Sequence, residues 1–284
     1  MKRSKLGFWL FLAPCLITFL TVVLIPVICG FYYSFTDWDG MSSSVNFVGL
    51  DNFIRLFTKE EQFWVSFGFT ALFTLVSLVL INMVGFALAL LVTKKFKGAN
   101  ILRSVFFMPN LIGGLLLGFA WQFIFTKVFP ATGIPFFQNW LTNRETGFMA
   151  LLIVMVWQMG GYMMIIYVAA LQGIPDSVLE AAELDGAKGF TKLRAIVIPM
   201  VSQAFTVGLF LMLSNSFKLF DQNLALTNGG PNRSTEMLAL NIYQTAFSGN
   251  DMGYAQAKAL VFLITIAVVS VIQLTISKRA EIEA

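Results

Sequence analysis

The chain is 284 residues long, carries a formal net charge of +4, and is 57% hydrophobic but only 12% charged. Ordinary soluble domains contain about 25% charged residues, so the composition excludes a soluble domain and predicts an integral membrane protein. The sequence has no histidine, and its two cysteines, Cys15 and Cys29, lie in the same apolar segment. This supports neither a disulfide framework nor a Cys/His metal site, and we expect no metal.

Six uncharged stretches are long enough to form helices that cross a membrane. Each reaches the roughly 18 residues that span a hydrocarbon core, which predicts an all-α fold with six transmembrane helices in one domain, 1–284. The predicted spans lie approximately at 8–35, 63–93, 104–126, 147–171, 196–217 and 259–277. Two shorter uncharged stretches, Val128–Asn143 and Met237–Asn250, are predicted to be interfacial or packed loop segments.

The first apolar stretch follows the basic residues Lys2, Arg3 and Lys5. The same order is typical of a secretory signal, whose apolar region is about 7–15 residues long. The uncharged stretch Leu6–Thr36 is about twice that length, and no small-residue cleavage pattern follows it. We therefore expect it to be retained as the first span.

Basic residues are concentrated in alternate connections between the predicted spans. With a cytoplasmic N-terminus, the inner segments 1–5, 94–103, 176–194 and 278–284 hold 12 of the 19 Lys and Arg residues. Lys and Arg near span ends stay on the cytoplasmic side. The distribution therefore predicts that both termini and the segment 176–194 are cytoplasmic.

Uncharged polar side chains supply most of the chemistry available inside the spans. Amides and hydroxyls beside aromatic rings suit a neutral, hydroxyl-rich solute, although the same groups also hold membrane helices together. Near the outer end of the fifth span, Lys218 and Asp221 have the i, i+3 spacing of an ion pair. The candidate polar residues are Asn82, Asn110, Gln122, Gln158, Tyr162, Tyr167, Asn215 and Ser216.

The cytoplasmic segment 176–194 is predicted to contain a short helix from Ser177 to Asp185. Ser177 and Glu180 have the S-x-x-E spacing of a capping box, and Gly186 suits the left-handed position that ends many helices. A helix of nine residues is unstable alone, so it is expected to dock on its own bundle or on a cytoplasmic partner. Its apolar patch consists of Val178, Leu179 and Ala182.

Motifs in the second half of the chain resemble a known family of transporters. Glu180–Ala182, Asp185–Ala187 and Ile196–Pro199 are similar to the EAA loop of ABC importer permeases, which also precedes the penultimate span. The run Leu226–Pro231 is similar to a segment of the carbohydrate-uptake permeases of the maltose and multiple-sugar type. The resemblance covers nearly the whole chain.

The resemblance implies a type I ABC importer permease fold in the cell membrane and a role in moving a sugar or oligosaccharide into the cell. It also implies a second homologous permease subunit, two copies of a cytoplasmic ATPase subunit and an extracytoplasmic solute-binding protein as partners, with no nucleic acid. The chain has no G-x-x-x-x-G-K-[ST] motif, so ATP and Mg²⁺ are expected on the partner ATPases, and this chain is expected to be no enzyme and to bind no cofactor.

The resemblance also implies which residues act. The coupling contacts to the ATPase are expected at Glu180, Ala181, Ala182, Asp185, Gly186 and Ala187. The contacts to the solute are expected at Gln158, Met159, Tyr162, Met212, Asn215, Ser216 and Leu219.

Three other functions stay open on the sequence. An importer for glycerol-3-phosphate or another small polar solute would favour basic residues in the pathway, where Lys218 alone qualifies. A stand-alone secondary carrier predicts related halves with broken helices, and the sequence has no such internal symmetry. An intramembrane enzyme needs a nucleophile, metal ligands or paired carboxylates at membrane depth, and the spans lack them.

Overall fold

A computed structural model describes residues 5–94 and 96–279. Within this part, the chain is helical apart from connecting segments and one isolated β-bridge between Thr36 and Phe47. The predicted cytoplasmic termini fall largely on 1–4 and 280–284, which lie outside the described residues. Their orientation therefore stays a prediction.

Five helices occupy the first half of the described chain and seven the second half. The first five are α1 (Lys5–Phe19, continued by the π-helical turn Leu20–Leu24 and by Ile25–Tyr33), α2 (Asp51–Thr58), α3 (Glu61–Thr93), α4 (Ala99–Phe107) and α5 (Gly114–Phe123, continued by the π-helical turn Ile124–Val128 and by Phe129–Ala131). The next seven are α6 (Arg144–Gln172), α7 (Asp176–Leu184), α8 (Gly189–Lys192, continued by the π-helical turn Leu193–Val197 and by Ile198–Met200), α9 (Ser202–Phe217), α10 (Asp221–Leu226), α11 (Leu238–Tyr243, continued by the π-helical turn Gln244–Ser248) and α12 (Met252–Arg279).

Five of the described helices, α1, α3, α5, α6 and α12, are long and apolar enough to cross a membrane. Helices α8 and α9 pass the same test together but meet at an angle of 70°. The break lies at Val201, whose backbone leaves the helical conformation at φ −99° and ψ 14°. The segment predicted as one fifth span, 196–217, is therefore a bent pair of helices.

The third long helix is displaced from its predicted position, 104–126. Helix α4 ends at Phe107 and is followed by the 3₁₀ turn Met108–Leu111 and by Gly113 in an extended conformation, before α5 begins at Gly114. Proline in this turn cannot donate a backbone hydrogen bond and so cannot continue a helix. The uncharged stretch thus contains a helix end and a helix start that charge spacing alone does not reveal.

Proline accounts for three of the π-helical turns in the described chain. Pro26, Pro130 and Pro199 each follow two residues after such a turn ends. A proline within a helix has no N–H, and its ring collides with the carbonyl four residues earlier. A wider turn relieves that collision while the helix continues, and beyond Pro199 the bend at Val201 completes the change of direction.

The described residues form two compact units, one from 5–61 with 241–264 and the other from 62–240 with 265–279. The first unit contains a buried cation. The Lys258 ammonium group, on α12, donates hydrogen bonds to Glu60 Oε1 at 2.9 Å, Asn241 Oδ1 at 3.1 Å and Thr245 Oγ1 at 2.9 Å. These contacts join the start of α12 to α11 and to the residue before α3.

Replacing Lys258 with methionine is expected to lower the free energy of unfolding by about 3 kcal/mol, because it removes the cation that faces the Glu60 carboxylate. The Lys258 side chain is 2% exposed and that of Glu60 22% exposed, so water compensates the carboxylate only in part. Unfolding of the purified protein in sodium dodecyl sulfate measures the change. Lys59→Met, at an exposed position beside Glu60, serves as control and should leave the unfolding curve unchanged. Equal unfolding curves for the two variants would contradict a stabilising role of the buried Lys258 cation.

The second unit is built around a crossing of α3, α6 and α9. The Tyr167 hydroxyl donates to Asn82 Oδ1 at 2.6 Å, and Asn82 donates in turn to the Leu78 carbonyl at 2.6 Å. A Cβ atom on Gly208 would lie 2.8 Å from Asn82 Oδ1 and 3.0 Å from the Tyr167 hydroxyl. A glycine therefore allows α9 to approach the polar pair closely, and this pair stabilises helix packing.

Candidate functional site

A cavity of about 300 Å³ opens where the middle of α6 meets the end of α9 and the starts of α5 and α10. It contains four of the seven residues expected to contact a solute, Gln158, Met159, Asn215 and Leu219. The complete lining is Gly114, Met155, Gln158, Met159, Asn215, Lys218, Leu219, Phe220, Asp221 and Gln222. The helices on either side of the segment 176–194 thus bring amide and apolar side chains to one space.

The other three expected solute contacts do not line this cavity. Met212 and Ser216 are fully buried, and the Ser216 hydroxyl accepts a hydrogen bond from the Ser77 hydroxyl at 2.9 Å. Tyr162 is half-buried and packs against the apolar core. In this conformation these three side chains pack the helices together rather than face the cavity.

Lys218 and Asp221 do not form the ion pair that their spacing suggested. Helix α9 ends at Phe217, and Asp221 begins α10 after a change of direction at Phe220, so the i, i+3 geometry of one helix is absent. Four ion pairs among the described residues join other side chains: Arg55–Asp251, Lys192–Glu183, Arg233–Glu236 and Lys258–Glu60. Both Lys218 and Asp221 instead border the cavity, which gives it one charge of each sign.

Three residues that the sequence did not predict to line the cavity lie at this change of direction. Phe220, Asp221 and Gln222 lie beyond the end of the predicted fifth span, where helical spacing no longer predicts which side chains meet. A Cβ atom on Gly114 would lie 2.7 Å from Asp221 Cβ, so a glycine at the start of α5 is required for this approach. The polar run that directly follows an apolar span is the one sequence signal that could have indicated these residues.

The short helix of the predicted coupling loop, α7, begins one residue earlier than predicted. Pro175 is the residue before its first turn, with an extended backbone at φ −63° and ψ 135°, and no side chain caps the turn. The predicted capping box of Ser177 with Glu180 is therefore wrong, because Ser177 already lies inside the helix. Asp176 places a carboxylate in the first turn, where it interacts favourably with the helix dipole.

Helix α7 ends at Leu184, one residue before the predicted Asp185, and Gly186 has the role predicted for it. Gly186 adopts the left-handed conformation at φ +83°. The Ala187 N–H donates to the Ala182 carbonyl at 2.9 Å, and the Gly186 N–H donates to the Glu183 carbonyl at 3.1 Å. These two bonds are those of a Schellman motif, which fixes the last turn and ends the helix sharply.

Helix α7 has an inward face and an exposed face. Ala182 is buried, whereas Glu180, Ala181, Asp185 and Gly186 are exposed and Ala187 is partly exposed. Sequence reasoning missed two large apolar side chains here, because Leu184 is 89% and Phe190 73% exposed. Leu184 ends α7 and Phe190 lies in the first turn of α8, and neither side chain is covered by another part of the described chain.

An ion pair joins α7 to the helix that follows it. The Lys192 ammonium group donates to Glu183 Oε1 at 2.8 Å. The hydrogen bond and charge of Lys192 hold the pKa of the Glu183 carboxyl below its ordinary value. The pair links the start of α8, which leads into the bent helix pair, to the exposed short helix.

Within the described residues, no group of three or more Cys, Asp or Glu side chains is placed to hold a metal ion. The two cysteines lie exposed on α1.

Comparison with known proteins identifies the family. Residues 81–282 match the family described as binding-protein-dependent transport system inner membrane component. The chain is 50% identical to the probable starch degradation products transport system permease protein AmyD of Thermoanaerobacterium thermosulfurigenes, over 99% of this chain and 97% of that protein. It is 34% identical to the multiple sugar-binding transport system permease protein MsmF of Streptococcus mutans serotype c, over 98% of each chain.

A solved structure has the same fold. A chain of a bacterial ABC transporter involved in import of the acidic polysaccharide alginate superposes with a TM-score of 0.84 at 21% identity, covering 97% of this chain and 96% of that one. This similarity establishes the fold, that of an ABC importer permease. Because the family match and both relatives extend along most or all of the sequence, the chain belongs to the family of binding-protein-dependent transport system inner membrane components.

Proposed function

We propose that the chain is a permease subunit of an ABC importer and carries a sugar or oligosaccharide into the cell. The observation that carries this proposal is the cavity, whose lining includes the amide residues Gln158, Asn215 and Gln222 and the aromatic residue Phe220. Amides exchange hydrogen bonds with hydroxyl groups, while a ring can cover the C–H face of a sugar. The names of the two relatives, which refer to starch degradation products and to multiple sugars, support the same class of solute.

The proposed complex contains a second homologous permease subunit, two copies of a cytoplasmic ATPase subunit and an extracytoplasmic solute-binding protein. ATP and Mg²⁺ are assigned to the ATPase subunits, so this chain hydrolyses nothing and holds no cofactor. The segment 176–194 is assigned to the cytoplasmic side as the coupling loop, with its ATPase contacts on α7. Leu184, exposed on that helix, is added to the contacts expected from the sequence.

The coupling mechanism follows from the position of α7 between α6 and the bent pair of α8 and α9. Helices α6 and α9 both line the cavity, and α7 with its Schellman end connects the former to α8. A movement of α7 therefore reaches both cavity walls through continuous backbone. ATP can drive transport only if it favours one of two states of the complex, and α7 carries that preference to the cavity.

A second candidate function is import of an anionic solute such as glycerol-3-phosphate. Lys218 in the cavity wall favours it, because phosphate groups pair with basic side chains. Asp221 lines the same cavity and would repel an anion. We therefore rank the neutral sugar first.

Affinity purification of the chain from its own membrane, followed by binding assays on the co-purified solute-binding protein, tests the proposal. We expect one second permease and two ATPase subunits per chain, with a binding protein that retains maltotriose. A chain that purifies without an ATPase would overturn the importer. A binding protein that retains glycerol-3-phosphate and no sugar would favour the second candidate.

A further inference from the structure

One buried acceptor, on a residue that lines the cavity, has no hydrogen-bond donor among the described residues. Gln222 is 2% exposed and lines the cavity, and its side-chain oxygen Oε1 has no partner among the described residues. Buried polar atoms are almost always hydrogen-bonded, and an exception calls for a physical explanation. Because Gln222 borders the cavity, a change of conformation that uncovers its Oε1 would allow a solute hydroxyl to supply the missing donor.

The orientation of the Gln222 amide is fixed by a chain of three groups. The Ile112 carbonyl lies in the turn between α4 and α5 and can only accept, so the Gln158 atom facing it at 3.0 Å must be the donor Nε2. The other amide atom of Gln158, its acceptor Oε1, therefore faces Gln222. The Gln222 atom that contacts it must be the donor Nε2. The Ile112 carbonyl thus determines the orientation of both side-chain amides, those of Gln158 and Gln222. The atom left unpaired is the Oε1 of Gln222.

We infer that Gln222 is a specificity-determining residue that accepts a hydrogen bond from a hydroxyl group of the translocated sugar. The inference rests on the proposed function and deepens it, because it adds a contact that lies outside the expected solute-binding set. The requirement is for a donor, so an acceptor-only group such as a carboxylate or a fully ionised phosphate does not satisfy it.

The arrangement also assigns Gln158 a positioning role. Its Nε2 bonds to the Ile112 carbonyl and its Oε1 accepts from Gln222, so its two ends hold the turn before α5 and the start of α10 in fixed relation. Gln158 was expected to contact solute directly. In this structure its amide instead aligns the acceptor on Gln222.

The test uses the reconstituted complex with its ATPase, second permease and binding protein, and maltotriose as the probe. Gln222→Met retains side-chain length but has no acceptor. Gln122→Met is the matched control, because Gln122 donates to the Leu226 carbonyl at the other end of α10 at 3.2 Å and lies outside the cavity lining. The number of maltotriose molecules taken up per ATP hydrolysed separates a lost solute contact from a general loss of activity.

We expect Gln222→Met to lower uptake per ATP about tenfold, the effect of one unmade hydrogen bond to a solute, with ATP hydrolysis and assembly intact. Gln122→Met should change the ratio less than about twofold. An unchanged ratio in Gln222→Met, or an equal loss in both variants, overturns the inference while leaving the importer in place. A wild-type complex that takes up no maltotriose overturns the proposed sugar and this inference with it.

Discussion

Replacing Leu184 with aspartate is expected to release the ATPase subunits from the chain while the chain itself stays folded in the membrane. Leu184 is 89% exposed on α7, so it makes little contribution to the stability of the isolated chain. Burying a leucine side chain in an interface contributes about 2 kcal/mol, and a carboxylate in its place adds a desolvation cost. Together these effects predict at least about 100-fold weaker association.

The measurement is the amount of ATPase that co-purifies with the variant, followed by a binding titration of the separated subunits. Leu50→Asp is the control, because Leu50 is a 61% exposed leucine in a segment predicted to lie on the outer side. We expect Leu50→Asp to retain its ATPase. Normal ATPase recovery with Leu184→Asp would show that α7 does not dock as proposed.

Replacing Gly161 with alanine is expected to prevent α6 from packing against α4. A Cβ atom on Gly161 would lie 1.8 Å from the Phe106 carbonyl oxygen and 3.0 Å from Phe107 Cα. The obstacle is backbone rather than a mobile side chain, so the helices must separate. We expect a loss of about 3 kcal/mol or more in the free energy of unfolding, at the upper end of the range for overpacked sites.

Protein recovered from the membrane fraction and unfolding in sodium dodecyl sulfate measure this loss. Gly68→Ala is the matched control on α3, since nothing lies within 4 Å of its added Cβ. Alanine is also the better helix former, so Gly68→Ala should be neutral or slightly stabilising. A Gly161→Ala protein that unfolds like the wild type would contradict the close crossing of α4 and α6.

The long helices were predictable where charged residues bound an apolar stretch. Helix α3 runs from Glu61 to Thr93 against a predicted 63–93, and α6 from Arg144 to Gln172 against 147–171. Prediction failed where the backbone changes direction inside an uncharged stretch, as at Val201 and in the turn that contains Pro109. Hydropathy measures transfer to lipid and contains no information on such local backbone geometry.

The candidate site was predictable to a similar degree. Family resemblance indicated Gln158 and Asn215, which line the cavity, and Gly186 ends α7 as its conformational freedom suggested. Gln222 was missed because it faces the cavity only after the chain turns at the end of α9. Leu184 was missed as a contact because its exposure depends on which face of α7 packs inward, and a nine-residue helix with several apolar residues leaves that face undetermined.

We propose that this chain forms part of a pathway for sugar that is powered by ATP hydrolysis on partner subunits. Uptake of radiolabelled maltotriose into vesicles that contain the complete complex tests it most directly. We expect accumulation that requires both ATP and the solute-binding protein and that stops when α7 carries Leu184→Asp. Accumulation by the chain without its ATPase, or uptake unaffected by Leu184→Asp, would contradict it.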